Sequence, residues 1–247
     1  MDCTRVLIYC PIAPKTPKVY ARTITSLFRM EWPYYAPIVF GRNDNPATKY
    51  SDITAKHNEA RSMALAGGFD ALLFVENDMI LPPDALLKMA AVDADVVYGL
   101  YVNRHGWRKW LAYTYLDSLG GVSLSDDKER ARAAWGRVVP TVGVGMGCTL
   151  IRRNVLETIE FVTPANERLA DDWQFSLDCQ AHGFRQAHDM SVHCGHIVPG
   201  NAHILWPDIG NDDLFRVEWF NDSQLVPTQT PVSINVGMGV TEVWGRQ

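Results

Sequence analysis

The stretch Phe69-Asp70-Ala71-Leu72-Leu73-Phe74-Val75-Glu76-Asn77-Asp78-Met79-Ile80-Leu81-Pro82-Pro83 decides how this chain is read, because an unbroken apolar run gives way within one residue to Glu-Asn-Asp. Ala71 to Val75 is bounded by Gly67-Gly68 and Pro82-Pro83, which predicts a short strand buried on both faces, as in a parallel sheet covered by helices. Such sheets bind ligands beyond the carboxyl ends of their strands, so Glu76 and Asp78 stand where a ligand would sit. In an extended segment residues two apart point the same way, which lets the two carboxylates converge while Asn77 faces away. Two hard oxygen donors suit Mg²⁺ or Mn²⁺, whose shell is completed by substrate phosphate and water. The competing reading is an acidic turn that only ends a strand.

Outward from this strand the pattern alternates. Upstream, Arg5 to Cys10 predicts a first buried strand stopped by Pro11, and Pro17 to Arg29 a crossover helix. Pro37 to Phe40 predicts a second strand and Gly41 to Tyr50 a polar loop. About Asp52 to Ala66 reads as a helix stopped by Gly67-Gly68. This βαβ order is that of an α/β fold. On the last of these helices Lys56, Asn58 and Arg61 either reach a phosphate or base, or form a solvated face.

Downstream, Pro82 to Ala91 predicts a helix that starts with prolines, and Asp95 to Leu100 a further strand. Tyr101 to Arg108 is a loop carrying Arg104, His105 and Arg108, and Trp110 to Tyr115 predicts an edge strand. Asp117 to Arg137 is the most polar section and reads as an exposed insertion or a mobile flap, with Ser125 to Arg130 a solvated charge run. Gly143-Val-Gly145-Met-Gly147 matches neither a phosphate loop nor a dinucleotide fingerprint; alternate glycines there predict close approach by a ligand or another chain segment. Cys148 to Glu157 continues as strand and helix start.

Asp171-Asp172 opens a helix running through Cys179 to Gly183, where acids are favoured by the helix dipole whether or not they do chemistry. A last strand then brings His188 to His196 past the sheet. Four histidines between Ala181 and Ile197, with Cys179 or Cys194 nearby, fit no standard zinc spacing. A single His joining Asp78 at a metal is the better reading, with His193 and His196 both eligible.

At 247 residues and 47% hydrophobic content the chain supports one large core. A formal charge of −5 argues against a nucleic-acid partner. The five cysteines are odd in number and scattered, unlike a disulfide framework, and no leader or bilayer-length apolar stretch is evident. These features together lead us to expect a soluble protein in a reducing cytoplasm. Pro199 to Gln247 is irregular in pattern and is expected to wrap the core, cover the acceptor side or make an oligomer contact, giving a main domain over 1–198 and an extension over 199–247.

Taken in order, Val6 to Ile197 resembles the GT-A glycosyltransferases, and family-2-like members in particular. In that family a strand ends in Asp-x-Asp, here Glu76-Asn77-Asp78, and an Ala-Arg helix precedes it, here Ala60-Arg61-Ser62. A Gly-x-Gly segment precedes an Arg-Arg helix start, here Gly145-Met-Gly147 and Arg152-Arg153. A Glu-Asp motif opens a later helix, here Asp171-Asp172, and a late strand ends in a metal-binding His, here His196. Glu in place of the first Asp, and Asp-Asp in place of Glu-Asp, depart from the pattern while keeping the charge.

The resemblance implies a Rossmann-like, mostly parallel central sheet flanked by helices and a transfer of sugar from a UDP- or GDP-sugar to an acceptor hydroxyl. It implies Mn²⁺ or Mg²⁺ held by Asp78, His196 and Glu76, with Pro11, Arg61, Glu76, Asn77 and Arg104 at the donor. Asp172 becomes the general base, with Asp171 as neighbour or substitute, and such a base implies inversion. The acceptor would be a glycan, a lipid-linked sugar or a small molecule, and a homo-oligomer is compatible. The rivals are a nucleotidyltransferase, whose Gly-rich basic signature is missing from Pro11-Ile-Ala-Pro14-Lys15, and a non-catalytic nucleotide-sugar-binding protein.

Overall fold

The computed structural model describes residues 3–12, 19–42, 51–106, 108–164, 170–198, 203–219, 230–235 and 240–245. Most of the polar loop expected over Gly41 to Tyr50, the Pro14-Lys15 segment, and Pro199 and Phe220 of the tail lie outside these residues. The chain runs β1 (Val6–Ile12), α1 (Ala21–Phe28), β2 (Ile38–Arg42), α2 (Ser51–Ala66), β3 (Ala71–Val75), β4 (Met79–Ile80), α3 (Ala85–Ala91) and β5 (Val96–Leu100). It continues through β6 (Ala112–Leu116), β7 (Gly121–Ser123), α4 (Lys128–Ala134), β8 (Val138–Pro140), β9 (Val142–Gly143), β10 (Cys148–Arg152), α5 (Arg153–Thr158) and α6 (Asp171–Ala181). Six strands close it: β11 (Gln186–His193), β12 (Gly195–Val198), β13 (His203–Pro207), β14 (Phe215–Trp219), β15 (Thr230–Asn235) and β16 (Val240–Gly245).

The central sheet has seven strands in the order β2-β1-β3-β10-β5-β11-β8. β10 is antiparallel to both β3 and β5, and β8 is antiparallel to β11, so the other five strands share one direction. This is the mostly parallel α/β sheet that the sequence leads one to expect. Alternation along the strands divides the core into two layers. Val6, Ile8, Cys10, Leu73 and Val75 pack with Leu27, Leu86 and Met89 on the α1 and α3 face. Leu7, Tyr9, Leu72 and Phe74 pack with Ala60, Ala64, Leu156 and Phe175 on the α2, α5 and α6 face. All five residues of β3 are fully buried, as its unbroken apolar run requires.

Local chemistry sets the element ends. α2 stops where Gly67, Gly68 and Phe69 donate back to the carbonyls of Met63, Leu65 and Ala64, with Gly68 at φ +66°. Pro11 does not stop β1. The N–H groups of Val6 and Ile8 point toward β2, so odd positions face β3, whose pairing ends at Tyr9 opposite Phe74. Pro11 lies beyond that end, where its missing donor has no ladder partner to lose, and it still pairs in register with Gly41.

Three other expectations are revised. β6 is the middle strand of a small sheet, β7-β6-β9, rather than an edge. The polar section after Asp117 is folded rather than a bare insertion: Ser123 and Asp126 form a capping box, and Asp127 caps α4 through the Arg130 N–H. Buried Leu124, Ala131 and Ala134 of this section join Trp110, Met190 and Leu205 in a third apolar cluster. The tail is stranded, since β13 and β14 form a four-stranded sheet with β12 and β4 in the order β14-β13-β12-β4, and β15 pairs with β16.

Candidate functional site

Five parallel strands leave their carboxyl ends on one side, and the acidic residues collect there. β3 releases Glu76 into a tight turn in which the Met79 N–H donates to the Glu76 carbonyl at 3.1 Å. The two carboxylates therefore converge through a turn, not through an extended segment. The turn is braced by α1: the Tyr20 N–H and the Thr23 hydroxyl both donate to the Asn77 carbonyl, at 3.1 and 3.2 Å.

His196 arrives from the far end of the sequence by strand pairing. β12 runs antiparallel to β4 with His196 opposite Met79, and the Ile197 N–H donates to the Asp78 carbonyl at 2.9 Å. Donor atoms of Glu76, Asp78 and His196 thus lie within 4.8 Å of one another. Asp78 and His196 are 3% and 4% exposed. His193 is excluded from this cluster, because its Nε2 meets the Met190 carbonyl at 2.8 Å and its ring stacks on Trp135.

The imidazole of His196 has its tautomer fixed by geometry. Its Nδ1 lies 2.8 Å from the Val102 carbonyl, which only accepts, so Nδ1 carries the proton and Nε2 presents a lone pair. Burial, and then the nearby Arg104 charge, push the His196 pKa down to about 3, which keeps the ring neutral. Nε2 faces Asp78 Oδ1 at 3.8 Å, and neither atom has a hydrogen-bond partner among the described residues. Two ligands each ~2.1 Å from a shared ion sit at about such a separation, and a backbone-oriented imidazole is the usual form of a metal-binding His. The set therefore fits a divalent cation, and the mixture of carboxylate oxygen with imidazole nitrogen suits Mn²⁺ at least as well as Mg²⁺.

Arg104, from the loop after β5, forms an ion pair with Asp78 Oδ2. Arg61 is engaged elsewhere: its Nε donates to the carbonyls of Leu156 and Ile159 at 2.7 and 2.9 Å, joining α2 to the end of α5. Asn58 likewise exchanges two bonds with the Phe161 backbone, and Lys56 pairs with Glu59. Of the basic residues expected at the donor, Arg104 is accordingly the one beside the acidic cluster. Pro11 is buried within β1.

The first turn of α6 contributes two unequal acids. Asp171 is 4% exposed and bonded through Oδ2 to Nδ1 of buried His57 at 2.7 Å. Asp172 is half-buried, and among the described residues its carboxylate accepts the Trp173 N–H at 2.7 Å. Desolvation, the Asp171 charge and the Glu76 charge together push its pKa up to about 7. Desolvation also raises Glu76, against the pull of Arg104 and His57, with Asp171 reinforcing the rise. These mutual effects make Glu76, Asp171, Asp172 and His57 one electrostatic unit.

The glycines of Gly143-Val-Gly145-Met-Gly147 admit two tyrosines. A Cβ at Gly143 would lie 2.4 Å from the Tyr98 ring, and one at Gly145 would lie 2.1 Å from the Tyr101 hydroxyl. That hydroxyl accepts the Gly147 N–H at 3.2 Å, while the Tyr101 ring packs edge-on to His196 at 5.6 Å. The close approach is thus by side chains of this chain. Sequence reasoning missed His57 and Tyr101: the first sits in a polar helix without distinguishing pattern, and the second is hidden by its place at the end of an apolar strand.

No family model and no curated protein matches this chain. Among solved structures, A197 from STIV is similar at 19% identity and a TM-score of 0.56, over 89% of this chain and 95% of that one. The likeness is one of fold. Residues 1-349 of S. aureus TarS are similar at 13% identity and a TM-score of 0.47, covering 76% of this chain and 59% of that one. The same protein in complex with UDP-GlcNAc scores 0.46 at 12% identity. These weaker likenesses add nothing to the fold assignment.

Proposed function

We propose that this chain is a metal-dependent glycosyltransferase that moves a sugar from a UDP- or GDP-sugar to an acceptor hydroxyl with inversion. The observation that carries the reading is the meeting of Glu76, Asp78 and His196 at the carboxyl end of the sheet, beside an acid whose pKa is raised to about 7.

Asp78 and His196, with Glu76 alongside, would hold a divalent ion, which would supply charge neutralisation to a departing diphosphate. Arg104 adds a fixed cation at the same place. Asp172 accepts the proton of the acceptor hydroxyl, and a pKa near neutrality lets it be ionised before the step and basic enough during it. Asp171 is committed to His57 and orients the first turn of α6, which leaves Asp172 the free base of the pair. Pro11 and Asn77 remain proposed donor contacts at the ends of β1 and β3; with Arg61 bonded to the α5 carbonyls, Arg104 takes the diphosphate role. In this reading 1–198 form the transferase unit, and 199–247 extend it through β13 pairing on β12.

The test is thermal stability against UDP, GDP, CDP and their sugars, each with and without Mn²⁺, since a ligand bound only by the native state raises the apparent melting temperature. A rise with one nucleotide that requires the metal supports the reading and identifies the donor class. No rise with any of them overturns it.

A further inference from the structure

We propose that the cavity between the loop after β5 and the first turn of α6 binds a neutral pyranose ring of the acceptor; this rests on the transferase reading and names its second substrate as a carbohydrate. The cavity measures about 370 Å³, and its walls include Asn103, His105, Lys109, Tyr113, Asp126 and Trp173. It is tied to the acidic cluster on both sides. Trp173 follows Asp172 in the chain, and Asn103 and His105 flank Arg104, which pairs with Asp78. The proposal places the acceptor hydroxyl on the side of the cavity where Trp173 leads to Asp172.

The lining has the character of a sugar site rather than of an anion site. Trp173 and Tyr113 form an edge-to-face pair, with ring centroids 5.7 Å apart and planes at 65°. The Trp173 ring is fixed by its Nε1–H bond to the Asp117 carbonyl at 2.9 Å. Tyr113 lies against Gly121, where a Cβ would come within 2.6 Å of its ring. A pyranose has an apolar face of C–H groups and a rim of hydroxyls, so it needs an aromatic wall on one side and polar partners around it.

The polar partners are present and carry no uncompensated charge. Lys109 is paired with Asp126, and His105 accepts the Arg104 Nε–H at 3.1 Å, so its ring proton sits on Nδ1 as a donor. The Asn103 carboxamide oxygen accepts the His105 N–H at 2.9 Å. A phosphate or carboxylate ligand would call for a cation free of its own acid, and Lys109 does not provide one. Burial, and then the Asp172 and Asp126 charges, raise the Tyr113 pKa, so its hydroxyl keeps its proton as a donor.

Saturation-transfer NMR on the whole chain, with methyl glucoside, galactoside, mannoside and N-acetylglucosaminide as probes, tests this. At least one probe is expected to receive saturation on the C–H groups of one ring face. Trp173→Ala and Tyr113→Leu, shown folded by circular dichroism, should each weaken that binding about tenfold, while Trp173→Phe keeps most of it. If Trp173→Ala does not fold, the comparison of Tyr113→Leu with Trp173→Phe decides. Binding of no pyranoside, binding unchanged in Tyr113→Leu, or displacement of the probe by uridine or guanosine overturns the proposal. Nucleotide-sugar binding without pyranoside binding removes the acceptor assignment alone, whereas pyranoside binding without nucleotide-sugar binding removes the transferase reading and with it the acceptor role.

Discussion

Asp78 Oδ1 and His196 Nε2 face each other across 3.8 Å in a buried site, and both are acceptors with nothing to accept from among the described residues. A carboxylate oxygen opposed to an imidazole lone pair is an unfavourable arrangement unless a cation lies between them. Mn²⁺ is therefore expected to raise the melting temperature of the unliganded chain. His196→Ala should weaken Mn²⁺ binding by at least ~10–100-fold, because losing a ligand costs no less than losing its supporting shell. Titration followed by electron paramagnetic resonance measures this. Wild-type affinity in His196→Ala would exclude the ring as a ligand.

Asp172→Asn keeps the shape of the α6 first turn and removes the proposed base. Transfer is expected to fall by roughly 10²–10⁴-fold, with nucleotide binding retained. In the wild type, kcat/KM should rise about tenfold per pH unit below 7 and level off above it, following ionisation of a carboxyl whose pKa is about 7. The groups that set that value are Asp171 on α6, Glu76 after β3 and His57 on α2. His57 is the one neighbouring side chain among these that holds the Asp172 value down, so replacing it with Gln should move the limb to higher pH. A limb that stays in place in Asp172→Asn would assign the titration to another group.

How far the sequence can be read follows from where the information is stored. β3 and its acids were legible because a strand buried on both faces must be apolar throughout, and the polar break after Val75 then marks its mouth. The residues alone left His193 and His196 both eligible and only the resemblance favoured His196, since the choice depends on β12 pairing with β4 across more than a hundred residues. His57 was missed because a half-polar helix gives no sign of which polar residue turns inward. The strands after residue 202 were obscured by Pro207 and Pro231, which lie within two of them, and Pro11 misled because its harmless position depends on where β3 ends.

Gly145 tests the packing behind the proposed metal ligand His196. Its φ of +98° is unfavourable for any L side chain, and an added Cβ would meet the Tyr101 hydroxyl at 2.1 Å. Gly145→Ala is expected to cost at least ~1–3 kcal/mol of stability from the backbone alone. Since Tyr101 also packs on His196, Mn²⁺ affinity should drop together with stability. Urea unfolding of the two proteins measures the first effect. A loss below ~0.5 kcal/mol would show that this segment relaxes freely.

His188 supplies a pH dependence of stability that is separate from the candidate site. It is 1% exposed, stacked on Tyr98 at 4.9 Å, and its Nδ1 is 2.7 Å from the Thr141 hydroxyl. Burial pushes its pKa down to about 3, so it stays neutral in the folded chain while an unfolded His charges near ~6.5. Below that pH the unfolded state binds the extra proton; the stabilisation is complete above ~6.5 and is lost as pH falls toward 3, at up to ~1.4 kcal/mol per unit. Asp172 and Glu76 act in the opposite sense, since their raised values let the folded state take up protons first. Comparison of His188→Leu with the wild type at pH 7.5, 6.5 and 5.5 cancels those shared contributions. The variant should be less stable at pH 7.5, because Thr141 loses its partner, and the gap should narrow by about 1 kcal/mol per pH unit below 6.5. A constant gap across the three urea-unfolding measurements would mean that the buried ring takes up its proton in the folded state.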